Sequence, residues 1–369
     1  MRFTNRTSFE AGYEQAAFKD DSDGLVFVVK ATYQIPDVPN GLVVLSPNQQ
    51  PLVSDDQFSD FLPAECADLV YESDFSSFKP KCDIVLQACA HAPNNEPVKE
   101  LDVMVKVGDW QKKLSIVGDR HWKKGTLGRW ILSEPEPFSQ MPIDYQHTFG
   151  GYQEIESYRK QFEMNPCGRG YVYDKLLSDP QEVLVPNVYN STEVRQYKRF
   201  GNISTPASFA PISSLISPRL ELAGTFDANY IVERFPALPS DYQDEFLQIA
   251  PADQQVEYLV GGELIELYNL SPQSYQAFSV PSSTPVIWLC RSGEKTLHPL
   301  LPNLDTLYIE PDRKQFQVIW RLRVPFNKNV HEIEEVIVGK KSKAWTIARQ
   351  KNKRYYPSLA DIPKKRHRL

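Results

Sequence analysis

Reactive and cross-linking residues are scarce in this sequence, which has five cysteines and six histidines among 369 residues. The cysteines stand at positions 66, 82, 89, 167 and 290, without a CxxC pair. An odd number without metal-type spacing is typical of reduced thiols in a reducing compartment. Cys82 and Cys89 lie in one strand pattern on opposite faces, so we expect no disulfide between them.

Long hydrophobic runs are also missing. No stretch of 18 apolar residues occurs, so we expect no membrane span. The first residues, MRFTNRTSFE, lack the apolar segment of a signal peptide. We therefore interpret the glycosylation-type triplets that begin at Asn5, Asn190 and Asn202 as chance matches, and we expect a cytoplasmic protein.

The familiar cofactor and catalytic spacings are absent as well. Gly150-Gly151 and Gly261-Gly262 belong neither to GxGxxG nor to a P-loop, and HExxH and GxSxG do not occur. Backbone positions with positive φ explain these glycines more simply. The sequence therefore predicts no cofactor, no metal and no catalytic residue.

Positive charge is scarce in the body of the chain and concentrated at its end. Net charge is −6, but residues 340–369 hold eleven Lys or Arg and one acid, so this basic tail carries +10 and residues 1–339 carry −16. Bases interleaved with aromatics are found in nucleic-acid binders, which makes nucleic-acid binding through the tail an alternative. Because the body is acidic, we favour docking of the tail to the body or to an acidic protein.

Most of the regular patterns in the sequence are those of β-strands. Proline (29) exceeds glycine (17), and aromatics reach 12%, a composition that favours strands joined by specified turns. Leu25–Ile35 is β-branched and aromatic, and Leu101–Val107 and Trp110–Val117 alternate with period two. Further strands are predicted at Cys82–His91, Glu263–Asn269, Gln276–Val280, Val286–Cys290, Thr306–Glu310, Phe316–Val324 and Ile333–Val338. Asp227 is placed to cap a short helix that ends before Pro236.

These patterns predict a mainly β protein built from antiparallel β-sandwich or barrel-like units, with a few short helices. Residues 1–150 are assigned to an N-terminal β domain and residues 223–339 to a C-terminal one. Between them, residues 151–222 form an irregular insert interrupted by proline. The basic tail, 340–369, follows.

One alternative is a hydrolase or metal enzyme. In GDRHW (118–122), Asp119 would orient His121 as a general base, and His91 and His147 could join them at one sheet edge. We favour a turn braced by Asp and Arg, because these side chains satisfy loop backbone groups and each other. Cys167 in NPCGRGY (165–171) would need a lowered pKa to act as a nucleophile.

The order of several motifs resembles a bacterial domain-of-unknown-function family encoded beside type VI secretion spike genes. The motifs include LVFVVKATYQIP, YESDFSSFKPKCDIVLQACAHAP, GDRHW, EPFSQMPIDYQHTFGG, NPCGRGY, LAGTFDANY and LDTLYIEPDRKQFQVIWR, and the resemblance covers roughly residues 1–325. It implies a non-enzymatic adaptor or chaperone that loads a toxic effector, often one with a PAAR spike-tip domain, onto the VgrG spike. It transfers no catalytic residue.

An adaptor needs interface anchors, and exposed aromatic side chains are the usual ones. Strand edges could also pair with a partner's β elements. The predicted partner-binding residues are the loop aromatics Phe75, Phe78, Trp122 and Phe149 and the tail aromatics Trp345, Tyr355 and Tyr356. The loop aromatics could equally belong to the core.

Overall fold

The protein is mainly β, as predicted. The computed structural model describes residues 1–59, 68–155, 158–176, 178–193, 197, 199–294, 296–341, 343–351 and 353. Its two α-helices are α1 (Ala228–Glu233) and α2 (Lys343–Gln350). Its strands are, in chain order, β1 Arg2–Asn5, β2 Glu10–Ala17, β3 Asp23–Gln34, β4 Val44–Leu45, β5 Gln57–Phe58, β6 Leu69–Tyr71, β7 Cys82–Leu86, β8 Cys89–His91, β9 Glu100–Val107, β10 Trp110–Val117, β11 Trp122–Lys124, β12 Trp130–Leu132, β13 Gln140–Pro142, β14 Phe149–Gly150, β15 Tyr152–Ile155, β16 Tyr158–Gln161, β17 Arg169–Gly170, β18 Val188–Asn190, β19 Gln255–Val256, β20 Leu264–Tyr268, β21 Tyr275–Ser279, β22 Ile287–Arg291, β23 His298–Leu300, β24 Asn303–Glu310, β25 Gln315–Pro325 and β26 Ile333–Val338.

The largest sheet contains seven strands in the order β19-β7-β24-β25-β3-β2, with β4 paired to the end of β3. Its centre is the antiparallel pair β3 and β25, which runs from Gly24 opposite Pro325 to Gln34 opposite Gln315. β7 and β24 are parallel. Every residue of β3 between its two ends is buried, because both faces of this strand are covered.

Two further sheets complete the main core. A five-stranded antiparallel sheet has the order β18-β10-β9-β20-β21, and a four-stranded sheet has the order β1-β26-β22-β23. Their apolar side chains and one face of the seven-stranded sheet form a single hydrophobic cluster. None of the sheets in the described residues closes into a barrel.

Strands from the two predicted β domains share these sheets. β3 and β7 come from the first stretch, and they pair with β25 and β24 from the second. The domain boundaries at 150, 222 and 339 stay a prediction. Strand pairing and apolar packing nevertheless join residues before and after the insert into one core.

The predicted strand Cys82–His91 is wrong in its length. β7 ends at Leu86, and Cys89 begins β8, which pairs with β13 in a separate two-stranded sheet. Because the chain changes sheets between these strands, Cys82 is buried in the large sheet while Cys89 reaches a groove at the surface. The described cysteines are all free, as expected.

The irregular insert contains more structure than its sequence indicated. β15 and β16 form a small hairpin, and β18 joins the edge of the five-stranded sheet. A second hydrophobic cluster lies here, separate from the main core. Its buried members are Val117, Trp122, Phe149, Val185, Tyr189 and Tyr197. The sequence of this region has no regular helical or strand period. Contacts between aromatic side chains from distant segments stabilise it instead.

The second face of the large sheet is covered in part by residues of the stretches 51–59 and 68–80. Val26 and Val28 of β3 contact a small cluster that includes Phe18, with Leu52 and Phe75 packed against it. Beside these side chains lies a buried ionic layer. Its three ion pairs are Lys30–Asp74, Lys79–Asp83 and Arg321–Asp305.

Asp83 is the most heavily bonded member of this ionic layer. Its carboxylate is fully buried and accepts from Lys79 Nζ at 2.7 Å and from Gln248 Nε2 at 2.6 Å. It also accepts from the backbone N–H groups of Ile249 (2.9 Å) and Ala250 (3.2 Å). The charged residues of the segment YESDFSSFKPKCD therefore fasten distant loops to the sheet.

Candidate partner-binding surfaces

The predicted aromatic anchors lie mostly in the interior. Trp122 and Phe149 are each 1% exposed and belong to the second hydrophobic cluster, so neither offers a surface to a partner. Phe75 is partly buried over Gly12 of β2, and Phe78 is half-buried. Core packing explains Trp122 and Phe149, and partner binding through Phe75 and Phe78 stays a prediction.

The predicted tail anchors are only partly described. Trp345 is half-buried in α2, and the Arg6 guanidinium lies 5.5 Å from its ring centroid. Tyr355 and Tyr356 lie outside the described residues, as does most of the basic tail. Nucleic-acid binding through this tail therefore stays a prediction.

The predicted enzyme residues do not form the expected pair in the described hydrogen bonds. Asp119 Oδ1 accepts from Asn187 Nδ2 at 2.9 Å, which braces the turn after β10. His121 donates its backbone N–H to Ser133 Oγ at 3.0 Å. His147 Nδ1 instead lies 2.6 Å from Asp144 Oδ1. No group of three or more His, Cys, Asp or Glu among the residues the structure describes could hold a metal ion.

The motifs HTFGG and NPCGRGY pack against each other. Asn165 is fully buried and donates from Nδ2 to the Tyr145 and Phe149 carbonyl oxygens at 2.8 and 2.9 Å. A Cβ at Gly150 would lie 2.1 Å from the Asn165 carbonyl oxygen, so only glycine fits there. The positive φ predicted for both glycine pairs is confirmed. These motifs form a structural clamp between β14 and β17.

The surroundings of Cys167 in this clamp disfavour the thiolate form that a nucleophilic cysteine needs. Its Sγ donates to Asp68 Oδ1 at 2.9 Å and lies 3.0 Å from Asn165 Oδ1. Burial and the charge of Asp68 raise the pKa of the Cys167 thiol far above its ordinary value. The lowered pKa that a reactive cysteine requires is therefore absent.

We expect Cys167 to react slowly with iodoacetamide at pH 8, at least about 100-fold more slowly in the folded protein than in urea, because the thiolate is the reactive form. Mass spectrometry of the labelled peptides at successive times gives the rate. The urea-unfolded protein is the control for intrinsic reactivity. Equal rates in both states would restore Cys167 as a candidate nucleophile.

A groove of about 450 Å³ opens beside this clamp, at the end of β24. Its apolar lining comes from Leu69, Val70, Ala88, Pro142, Ile143 and Ala210. Four carboxylates, those of Asp68, Asp144, Glu310 and Asp312, and the guanidinium of Arg313 also line it. We call this feature the acidic groove.

Two of the groove carboxylates are fixed by histidines. Asp312 accepts from the backbone N–H of Cys89 at 2.9 Å and lies 2.7 Å from His91 Nε2. Burial alone would raise the pKa of Asp312, but these hydrogen bonds hold it below its ordinary value. Asp144 Oδ1 lies 2.6 Å from His147 Nδ1 and accepts from the His147 backbone N–H at 2.9 Å. The described lining of the groove includes both aspartates and neither imidazole, so the histidines orient the carboxylates.

Asp68 differs from these carboxylates. Burial raises its pKa to about 6; the bond from Cys167 and the nearby side-chain and backbone donors of Gln146 oppose this rise, and the charge of Asp144 adds to it. Among the described residues, no hydrogen bond of normal geometry reaches its buried Oδ2. Asp68 is therefore a largely buried carboxylate in the groove lining, with its Oδ2 shielded from solvent.

A second surface feature is an apolar projection, which we define as residues 226–235. Asp227 caps α1, as predicted, by accepting from the Tyr230 N–H at 2.8 Å. No residue of α1 is buried. Val232 is 84% exposed and Phe235 69%, with Phe226 and Ile231 at 60% and 65%. Large apolar side chains thus face solvent together.

The apolar projection is fixed to the body at both sides. Arg234 donates to the Asp21 carboxylate at 2.6 and 3.0 Å, which links α1 to the β2–β3 turn. Upstream, the buried Arg219 donates to the Phe246 and Ile212 carbonyl oxygens and pairs with Glu72. A six-residue helix is not stable alone in water, so these contacts maintain it.

Neither surface is predicted as a binding site from the sequence alone. The apolar projection has a local signal, since FDANYIVERFP puts four large apolar residues in ten without a strand or long helix to bury them. The acidic groove has no such signal, because its carboxylates come from residues as distant as 68, 144 and 312. Only the dense motifs around it, such as PIDYQH and IEPDR, mark its segments.

This mainly β chain, with a groove and an apolar projection outside its core, belongs to a bacterial family. Residues 20–321 match the family described as "Uncharacterized protein conserved in bacteria (DUF2169)", so the chain is a member of it. No curated protein and no solved structure matches the chain. No helix in the described residues is long and apolar enough to cross a membrane.

Proposed function

We propose that this protein is a non-catalytic adaptor of the type VI secretion system. It binds a toxic effector in the cytoplasm, in particular one with a PAAR or other spike-tip domain, and helps to load it onto the VgrG spike. The ordered motif resemblance supports this role. Within the structure, the apolar projection is the observation that carries the proposal.

The apolar projection has the composition of an interface core. Aromatic and aliphatic side chains supply most of the binding free energy in protein interfaces. Tyr230 is in ring contact with Phe226 and Phe235, with centroids 4.9 and 6.5 Å apart, so the three rings form one patch, and Ile231 and Val232 of α1 are exposed beside Tyr230 in the sequence. Contiguous apolar surface of this kind on a soluble chain marks a site that a partner covers.

Fixation of the apolar projection favours binding. A segment already held by Arg234 and Arg219 loses little conformational entropy when a partner covers it. The surface can therefore act as a preformed anchor, and this suits a protein that must hold a cargo until it is transferred.

The proposal is tested by measuring how much of each partner co-purifies with a variant that carries a charge on the apolar projection. We expect Val232→Glu to reduce co-purification of the co-expressed PAAR-containing effector or VgrG protein by about tenfold or more, because a buried unpaired carboxylate costs more than 1.4 kcal/mol. Val260→Glu is the matched control, since Val260 is 78% exposed and lies outside the apolar projection. It should leave recovery unchanged.

Two results would contradict the proposal. Failure of the unaltered protein to retain either partner above background would remove the adaptor role. Equal retention by the Val232→Glu and unaltered proteins would move the interface away from the apolar projection. Thermal unfolding of both variants checks that the substitutions leave the fold intact.

A further inference from the structure

The acidic groove carries an inference that goes beyond the adaptor role and does not depend on it. Its volume of about 450 Å³ is within the range of small-ligand and side-chain pockets. It is too narrow for a helix or a folded domain but large enough for one or two extended residues of another chain. The charge, the hydrogen bonds and the apolar surface of its lining limit which ligand fits the groove.

Charge is the first constraint on the occupant. The described lining of the groove holds four carboxylates and one guanidinium, which together carry −3 when all four carboxyl groups are ionised. The guanidinium of Arg313 is already paired with Glu310 at 3.0 Å. Glu310 also accepts from Gln315 and Gln317, which leaves it saturated. The excess negative charge therefore belongs to Asp68, Asp144 and Asp312.

Hydrogen bonding is the second constraint. Asp144 and Asp312 are each held by a histidine and a backbone N–H, so their orientation is fixed before any ligand arrives. The buried Oδ2 of Asp68 has no hydrogen bond of normal geometry within the described residues. That atom is shielded from solvent, so a cation in the groove would bond to the partly exposed Asp144 and Asp312 and be attracted by the charge of Asp68; bonds from a cation to a carboxylate are the stronger kind.

The apolar part of the lining is the third constraint. Leu69, Val70, Pro142 and Ile143 supply apolar surface next to the carboxylates. Arginine and lysine combine a charged head with an aliphatic stem, and the stem packs on apolar surface while the head seeks a carboxylate. A small inorganic cation would leave this apolar surface uncovered.

We propose that the acidic groove binds an arginine or lysine side chain of a partner polypeptide. The aliphatic stem lies on Leu69 and Ile143, and the cationic head lies among Asp68, Asp144 and Asp312. An apolar residue next to the basic one fills the remaining space. The groove is thus a second recognition site, separate from the apolar projection.

The experiment uses the full chain and three short probes that differ in one side chain. These are the labelled peptides acetyl-Leu-Arg-Leu-amide, its lysine counterpart and its citrulline counterpart, which keeps the shape of arginine without its charge. We expect the arginine or the lysine peptide to bind at least about tenfold more tightly than the citrulline peptide in fluorescence anisotropy at pH 7.5. Affinity should fall as salt rises, because part of the attraction is screened.

Two variants locate the site. Asp68→Asn keeps the shape of the side chain and an oxygen that can accept from Cys167, and it should remove about tenfold of the preference for the cationic peptides. Asp55→Asn removes an exposed carboxylate elsewhere and should change nothing. Asp312→Asn is a second variant in the groove, and its effect should match that of Asp68→Asn in direction.

The proposal fails if the citrulline peptide binds as well as the cationic peptides, because the groove would then select an uncharged apolar ligand. It also fails if none of the peptides binds at millimolar concentration, or if both groove variants bind like the unaltered protein. Because the test requires neither effector nor VgrG, its failure is distinguishable from failure of the adaptor role.

Discussion

Replacing Asp83 with alanine is expected to lower the free energy of unfolding by about 3–5 kcal/mol, the largest effect of any single substitution described for this chain. The substitution leaves the Lys79 ammonium buried, and its next ion pair within the described residues, with Glu72, is long at 3.9 Å. It also removes the acceptor for Gln248 Nε2 and for two backbone N–H groups. Urea unfolding followed by tryptophan fluorescence gives the difference in free energy.

Asp37→Ala is the matched control for this prediction. Asp37 pairs with Lys314 at 2.8 Å, a distance close to that of the Lys79–Asp83 pair, but both side chains are mostly exposed. Exposed pairs contribute about 0–1 kcal/mol, so this variant should unfold almost like the unaltered protein. If Asp83→Ala cost no more than Asp37→Ala, the ionic layer would have no role in holding residues 71–83 to the sheet.

The substitution Asp68→Asn is expected to stabilise the protein at pH 8 by about 1–3 kcal/mol. Burial raises the pKa of Asp68 from 3.8 to about 6, so between these values the folded state holds a proton that the unfolded state releases. The free energy of unfolding therefore falls as the pH rises through this interval. Above it, the ionised Asp68 carboxylate destabilises the folded protein. Asparagine has no such titration.

The measurement is the free energy of unfolding at several values between pH 4 and pH 8 for the two proteins. The curves should lie closest near pH 4, where Asp68 is mostly protonated in the folded state, and separate as the pH rises. A constant difference across this range would show that Asp68 titrates normally. Destabilisation at pH 8 would mean that the carboxylate is already satisfied and would weaken the cation site.

Asp83 and Asp68 differ in their hydrogen bonding and in their effect on stability. Asp83 has four donors and fastens loops to the sheet, whereas Asp68 has fewer hydrogen bonds, a solvent-shielded Oδ2 and a place in the groove lining. A group that lowers the stability of the free protein is characteristic of binding sites, where a ligand supplies the missing partner. The predicted stabilisation by Asp68→Asn and its predicted loss of cation binding therefore have one cause.

Much of the strand content could be predicted from local pattern. Leu25–Ile35 and Phe316–Val324 are β-branched or aromatic over their lengths, and both are strands. Asp227 caps α1 because a carboxylate before a helical segment can accept from its free N–H groups. The break in Cys82–His91 was missed, because continued apolar character does not show where a chain passes from one sheet to another.

The candidate surfaces were less predictable. Trp122 and Phe149 have the composition of interface anchors, yet both are core residues, since residues such as Tyr197 and Phe200 cover them. Conversely, Val232 and Phe235 have the composition of core residues and are exposed. Residue type alone does not fix burial, because burial depends on which distant segment packs on each side chain.

The sequence by itself determined that this chain forms strands, where its short helix begins, and that its glycine pairs adopt positive φ, because these depend on neighbouring residues. Only the tertiary structure decided which charges are buried and which carboxylates meet at the acidic groove. Asp68, Asp144 and Asp312 are separated by as many as 244 positions in the chain, and strand pairing across the core brings them together. Desolvation and ion pairing act through space, and no local pattern in the chain encodes them.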